Sequence, residues 1–231
     1  MKKFFLSAMA AIAFYSCNSD DDNGSQDSYP STLHLSSYSY TTGVKLYSKY
    51  GEVTDQQAIN RWRDGYGETF FVWENYGEIP IDNAMITEIT FTHPDTITTN
   101  YVGPYRKLVV REEHGYKFCY FVEPILDITQ LYPLENIYNN MGVFKYTSIY
   151  ESLPSTDQYV RKTEGGLVLK GNTNRLELSR LTYAVNRSDS TAWYYKIAGI
   201  TDNAFDPEVI NMLYDGDTIA IQEAKMVYTK Q

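Results

Sequence analysis

Residues 105–112 and 116–123 flank Glu113-His114-Gly115, and both runs alternate as strands do. Two β-branched and aromatic runs around a short Gly-bearing loop are a hairpin signal. In the second run Tyr116, Phe118 and Tyr120 share one face, while Cys119 and Phe121 share the other. Apolar residues on both faces require a strand covered on both sides, or one face lining a cavity. Strand-like runs recur at 33–48, 69–74, 84–92, 143–151, 158–163, 167–170, 175–187, 192–200 and 218–229. Gly165-Gly166, Gly171-Asn172 and Asp189-Ser190 punctuate them, and 22 tyrosines strengthen the β bias.

Three short helices are expected between the strands. Thr54-Asp55-Gln56-Gln57 fits a capping box ahead of an apolar stripe of Ala58, Ile59 and Trp62. Pro133 suits a first helical position, followed by Leu134, Ile137, Tyr138 and Met141 at helical spacing. Asp206-Pro207 opens the third, with Val209, Ile210 and Leu213 facing inward. The expectation is an all-β domain with a few short helices, its antiparallel meander closing into a barrel, with a β-sandwich as the alternative. Long sequential strands with a capping helix resemble the lipocalin barrel, although the Gly-x-Trp of that family is absent. No period of 20–50 residues repeats, which argues against solenoids and propellers.

The N-terminus carries a different signal. Met1-Lys2-Lys3 precedes the apolar run Phe4–Phe14, and small residues follow: the parts of an export signal. As a helix that run reaches only about 16 Å, too short for a hydrocarbon core of about 30 Å. Ala11-Ile12-Ala13 fits an ordinary cleavage site. Phe14-Tyr15-Ser16-Cys17 resembles a lipobox, after which the cysteine is acylated and becomes the first mature residue. Ser16 fits that pattern, while Phe14 and Tyr15 depart from it. The polar run from Asn18 to Ser28 suits a solvated tether. Cys17 followed by Ser19, Asp20, Asp21 and Asp22 is similar to the export signal of Bacteroidota surface lipoproteins, a resemblance covering a small part of the chain. It implies a lipid anchor at Cys17 and a place at the outer-membrane surface. The division expected is a signal over 1–16, a tether over 17–30 and one β-rich domain over 31–231.

Removing residues 1–16 deletes two lysines and no acid, so the formal charge moves from −9 to −11. Such a balance argues against nucleic acid and against electrostatic docking on anionic lipid. With Cys17 acylated, Cys119 has no partner within the chain for a disulfide. Stability must then come from a core.

The search for chemistry is sparse. The sequence holds no G-x-S-x-G, H-E-x-x-H, P-loop or G-x-G-x-x-G motif. His34, His93 and His114 stand far apart, and Asp20-Asp21-Asp22-Asn23-Gly24 lacks the closing Glu of a calcium loop. No cofactor is expected. Glu112 and Glu113 adjoin on a strand end and should face opposite ways, whereas a glycosidase needs two acids converging on one sugar. Aromatics are the positive hint. Trp62, Trp73 and Trp193, with Tyr66, Tyr76, Tyr194 and Tyr195, could stack on a sugar or line a pocket; core filling is the plainer use. Asp95-Thr96-Ile97, Asp189-Ser190-Thr191 and Asp217-Thr218-Ile219 resemble a short Bacteroidota O-glycosylation signal, with the first two expected in loops. The functional expectation is a non-catalytic surface module for a glycan, a small apolar ligand or an outer-membrane protein. A polysaccharide-acting enzyme and an accessory subunit of an outer-membrane complex are the alternatives.

Mass spectrometry of the native N-terminus tests the anchor. An acylated Cys17 is the expected first residue. An unmodified thiol, or a chain beginning at Phe14, would rule the anchor out.

Overall fold

The computed structural model describes residues 29–66, 71–74, 77–100, 106–129, 134–145, 148–154, 159–187 and 196–231. Cys17, the 19–22 tether residues and Trp193 lie outside them, as do Tyr76, Tyr194 and Tyr195. The strands are β1 (Ser31–Tyr40), β2 (Lys45–Ser48), β3 (Gly51–Glu52), β4 (Glu88–His93), β5 (Thr96–Thr99) and β6 (Arg106–Glu113). They continue as β7 (Tyr116–Thr129), β8 (Ser148–Ser152), β9 (Tyr159–Gly171), β10 (Arg175–Asn186), β11 (Lys196–Thr201) and β12 (Thr218–Thr229). Helix α1 spans Gln56–Tyr66, α2 spans Glu135–Asn140, and a 3-10 helix covers Pro207–Met212.

Eight strands close a barrel. The pairings run β1–β4–β5–β6–β7–β9–β10–β12, all antiparallel, and β12 returns to β1. Chain order is ring order, so this is the up-and-down, lipocalin-like barrel anticipated, and not a sandwich. The remaining strands are insertions in its connections: β2 and β3 extend beside β12, β8 beside β9, and β11 beside β10.

An eight-stranded barrel is just wide enough for side chains to fill its interior. Here they do. Leu33, Phe91, Ile97, Leu108, Leu176 and Tyr228 are buried there together, and the Tyr228 hydroxyl donates to the Ile86 carbonyl at 3.0 Å. Strand β12 shows how period-2 alternation builds the molecule. Ala224, Met226 and Tyr228 fill the barrel, and Ala220 continues the same face into a second core beneath α1. Ile219 and Ile221 point the other way, into a third core covered by α2 and the 3-10 helix.

Several expectations change. The run 33–48 is two strands, separated by a crossing at which Thr41 and Thr42 donate backbone N–H to the Glu223 carbonyl. A bulge at Ser36 shifts the register of β1, so Leu33 and Leu35 face inward, then Tyr38. The runs 158–163 and 167–170 are one strand, β9. Gly165-Gly166 is not a turn: a Cβ on Gly165 would stand 2.0 Å from the Phe144 ring, so the glycine permits that ring to lie on the strand. Residues 71–74 are not a strand. The segment is instead held by Gln222, whose buried side chain donates to the Val72 carbonyl at 2.7 Å and accepts the Val72 N–H at 2.9 Å. Strand β5 goes unread in the sequence: Asp95 lies in the β4–β5 turn as expected, but Thr96 and Ile97 already belong to β5. The cap of α1 is Asp55, which accepts the Ala58 N–H at 2.7 Å, and not Thr54.

Arg180 and Asp202 form a buried ion pair beside the ring. At Arg180, β10 exchanges β9 for β11 as its neighbour. Just past β11, the Asp202 carbonyl accepts the Val168 N–H of β9 at 3.1 Å, so backbone pairing crosses the gap. The Asp202 carboxylate lies 2.8 Å from Arg180, and Arg180 also donates to the Tyr38 hydroxyl at 3.4 Å. Burial pushes the Asp202 carboxyl up, and the guanidinium pulls it back.

Removing one member would leave the other charge buried alone. Asp202→Ala is expected to cost about 3–5 kcal/mol in urea unfolding. The double change Arg180→Met with Asp202→Leu should recover most of that. A loss for Asp202→Ala no larger than at an exposed pair would refute a structural role.

Candidate functional site

The barrel has two distinct poles. The β10–β12 ladder runs from Arg175 opposite Thr229 to Asn186 opposite Thr218, a span of roughly 36 Å at strand rise. The start of β1 belongs to the first pole: Ser31 donates to the Thr173 carbonyl, and His34 pairs with Thr229. The β4–β5 turn, the β6–β7 tip and the β9–β10 turn share that pole, by register. At the opposite pole, α1 lies over the continuation of the barrel's inner face.

Helix α1 is there because Ile59 and Trp62 project from one side into the core formed with Leu46, Ala184 and Ala220. Trp62 is 8% exposed. Its Nε1 donates to the Thr218 Oγ1 at 3.2 Å, and its ring packs against Phe71 and Trp73 at centroid distances of 5.7 and 6.1 Å. The Val72–Gln222 bonds seat both of those rings. Trp62 and Trp73, distant from one another in no more than a helix and a loop, thus share one aromatic cluster, and most of its surface is core.

One edge of that core opens into a groove of about 490 Å³. Leu46, Val53 and Trp62 supply apolar surface, and Arg61, Asn186 and Thr218 supply polar groups. The volume falls within the about 300–1,000 Å³ of small-molecule sites. A second concavity, about 380 Å³, lies at the other pole on the β6–β7 tip, between Glu112, Glu113, His114 and Lys117. It is a crevice between exposed turn residues, and Glu112 is engaged by Lys117.

The remaining candidates do not converge. His34 faces Glu88 at 3.8 Å, while His93 and His114 are exposed at separate turns. Among the described residues no three His, Cys, Asp or Glu side chains are grouped to hold a metal ion. The Thr96 hydroxyl donates to Asp95 in a largely buried strand start, and the Thr218 hydroxyl takes the Trp62 bond. Asp189-Ser190-Thr191 lies outside the described residues. Comparisons with known protein families, with curated proteins and with solved structures find no match to this chain.

Cys119 sits inside the barrel, 0% exposed, with its thiol pushed up to about 12 by burial. A thiol raised this far stays protonated and unreactive. Iodoacetamide at pH 8 should therefore leave Cys119 unmodified in the folded protein and alkylate it once urea unfolds the barrel. Rapid alkylation without denaturant would contradict the packing of that interior.

Proposed function

We propose that this chain is a surface lipoprotein of the outer membrane, tethered through Cys17, whose barrel holds a ligand-binding groove between α1 and the sheet. The observation that carries the reading is the contrast between a filled barrel interior and an open groove at its far pole. A ligand cavity of the lipocalin kind needs an empty lumen, and this lumen is packed with Leu, Ile, Phe and Tyr side chains. Binding is thereby moved to the mouth.

The polarity of the fold supports the same reading. The chain enters the barrel at the pole where Ser31 meets the β9–β10 turn. A lipid at the end of the preceding tether would hold that pole toward the membrane. The groove would then face outward, where an extracellular ligand arrives. Its mixture of apolar floor and hydrogen-bonding walls suits recognition and requires no nucleophile or metal.

The test is a thermal-shift screen of the detergent-solubilised full chain against soluble glycans and small apolar ligands. The proposal expects a stabilising ligand whose effect disappears in the double variant Arg61→Ala with Asn186→Ala, while the unliganded melting temperature is kept. A ligand that stabilises both proteins equally would place binding elsewhere and refute the groove.

A further inference from the structure

The most exposed large side chains with apolar surface in the described structure, Tyr50 at 81% and Tyr214 at 65%, lie on turns that adjoin this groove. Tyr50 lies in the turn between β2 and β3, the hairpin that contributes Leu46 and Val53 to the groove. Tyr214 lies two residues before Gly216, another lining residue. The Tyr50 hydroxyl donates to the Asp215 Oδ1 at 2.6 Å, tying the two turns together.

Both rings are held in place. Asp215 also pairs with the Lys49 ammonium at 2.6 Å, and that ammonium stands 5.1 Å from the Tyr50 ring centroid. The Arg187 guanidinium stands 4.7 Å from the Tyr214 ring centroid, and its Nε donates to the buried Asp217 carboxylate at 3.3 Å. The Tyr214 backbone N–H donates to that same carboxylate at 3.0 Å. The Tyr50–Asp215–Lys49 network is solvent-exposed, and exposed ion pairs contribute little to stability. Neither tyrosine belongs to a core cluster. These contacts bias both exposed rings toward one pose, which lowers the ordering cost of binding.

We propose that Tyr50 and Tyr214 are stacking platforms for sugar rings, making the groove a site for a neutral glycan. This rests on the groove reading above and adds the ligand class. A pyranose offers an apolar C–H face and a fringe of hydroxyls. The rim offers tyrosine faces beside donors and acceptors: the Lys49 ammonium, the Arg61 guanidinium, the Asn186 amide and the Asp215 carboxylate. A wholly apolar ligand would strip water from those polar groups and replace none of its hydrogen bonds. Two of the cations near the groove are already paired with carboxylates, Lys49 with Asp215 and Arg187 with Asp217, which favours an uncharged chain of sugars over a strongly anionic one.

Native affinity electrophoresis of the detergent-solubilised full chain tests this, with gels containing a soluble glucan, mannan, xylan or galactan, and chondroitin sulfate as the anionic control. Retardation by at least one neutral polysaccharide is expected. Tyr50→Ala and Tyr214→Ala should each weaken it roughly tenfold, with unchanged melting temperatures. Asp215→Asn, which loosens the Tyr50 anchor and keeps its ring, should weaken it less. Retardation abolished by Arg61→Ala with Asn186→Ala but untouched by the tyrosine changes would overturn the platforms and leave the groove standing. No retardation in any neutral gel, beside groove-dependent binding of a small apolar ligand, would overturn the ligand class alone. Retardation indifferent to every variant would overturn both readings.

Discussion

The architecture depends on the pairing of β12 along both of its edges. One edge matches β10 over the full length of the strand, and the other meets β1 and then β2. Without the β12–β1 ladder the meander is an open sheet with two unpaired edges. With it, eight strands enclose a lumen too narrow to stay empty. The same strand then divides three cores by alternation alone, because its two faces are committed to different partners at each end. A shift of one residue in its register would turn Met226 and Tyr228 out of the lumen and Ile219 and Ile221 into the core beneath α1.

Length is what separates scaffold from site. Strands β10 and β12 run past the closed ring, and their far halves need new cover once β9 and β1 turn away. Strands β11 and β2 take up the freed edges, α1 covers the inner face, and α2 with the 3-10 helix covers the outer one. The join is where the polar residues gather. Arg180, Asp202 and Tyr38 fill the inner side of the seam, and Gln222 secures the Phe71–Trp73 segment above them. Each of these buried polar groups is bonded, as a low-dielectric interior demands. They specify where the barrel ends and the α1-covered region begins.

That division of space fills the lumen with side chains and leaves the groove at the pole where turns, helix and sheet meet. Trp62 and Trp73 serve mainly to build that pole: Trp62 lends one edge to the groove, and Trp73 packs against it. Tyr50 and Tyr214, on the neighbouring turns, belong to none of the core clusters. Among the described residues, the pole beside the start of β1 carries the β4–β5, β6–β7 and β9–β10 turns, with Lys117 paired to Glu112.

Much was legible from residue order alone. Alternation identified the β6–β7 hairpin, the long β10 and β12 strands and the all-β class, because period-2 burial is a local property written into neighbouring residues. The Asp206-Pro207 helix start is a local signal of the same kind. Other features were invisible for a shared reason. Gly165-Gly166 looks like a turn unless Phe144 is known to lie on it, and residues 69–74 look like a strand unless Gln222 is known to hold Val72. Tyr50 and Tyr214 look like two tyrosines among many until Asp215 joins their turns. These depend on contacts between residues far apart in the chain, and only the closed tertiary fold brings such residues together.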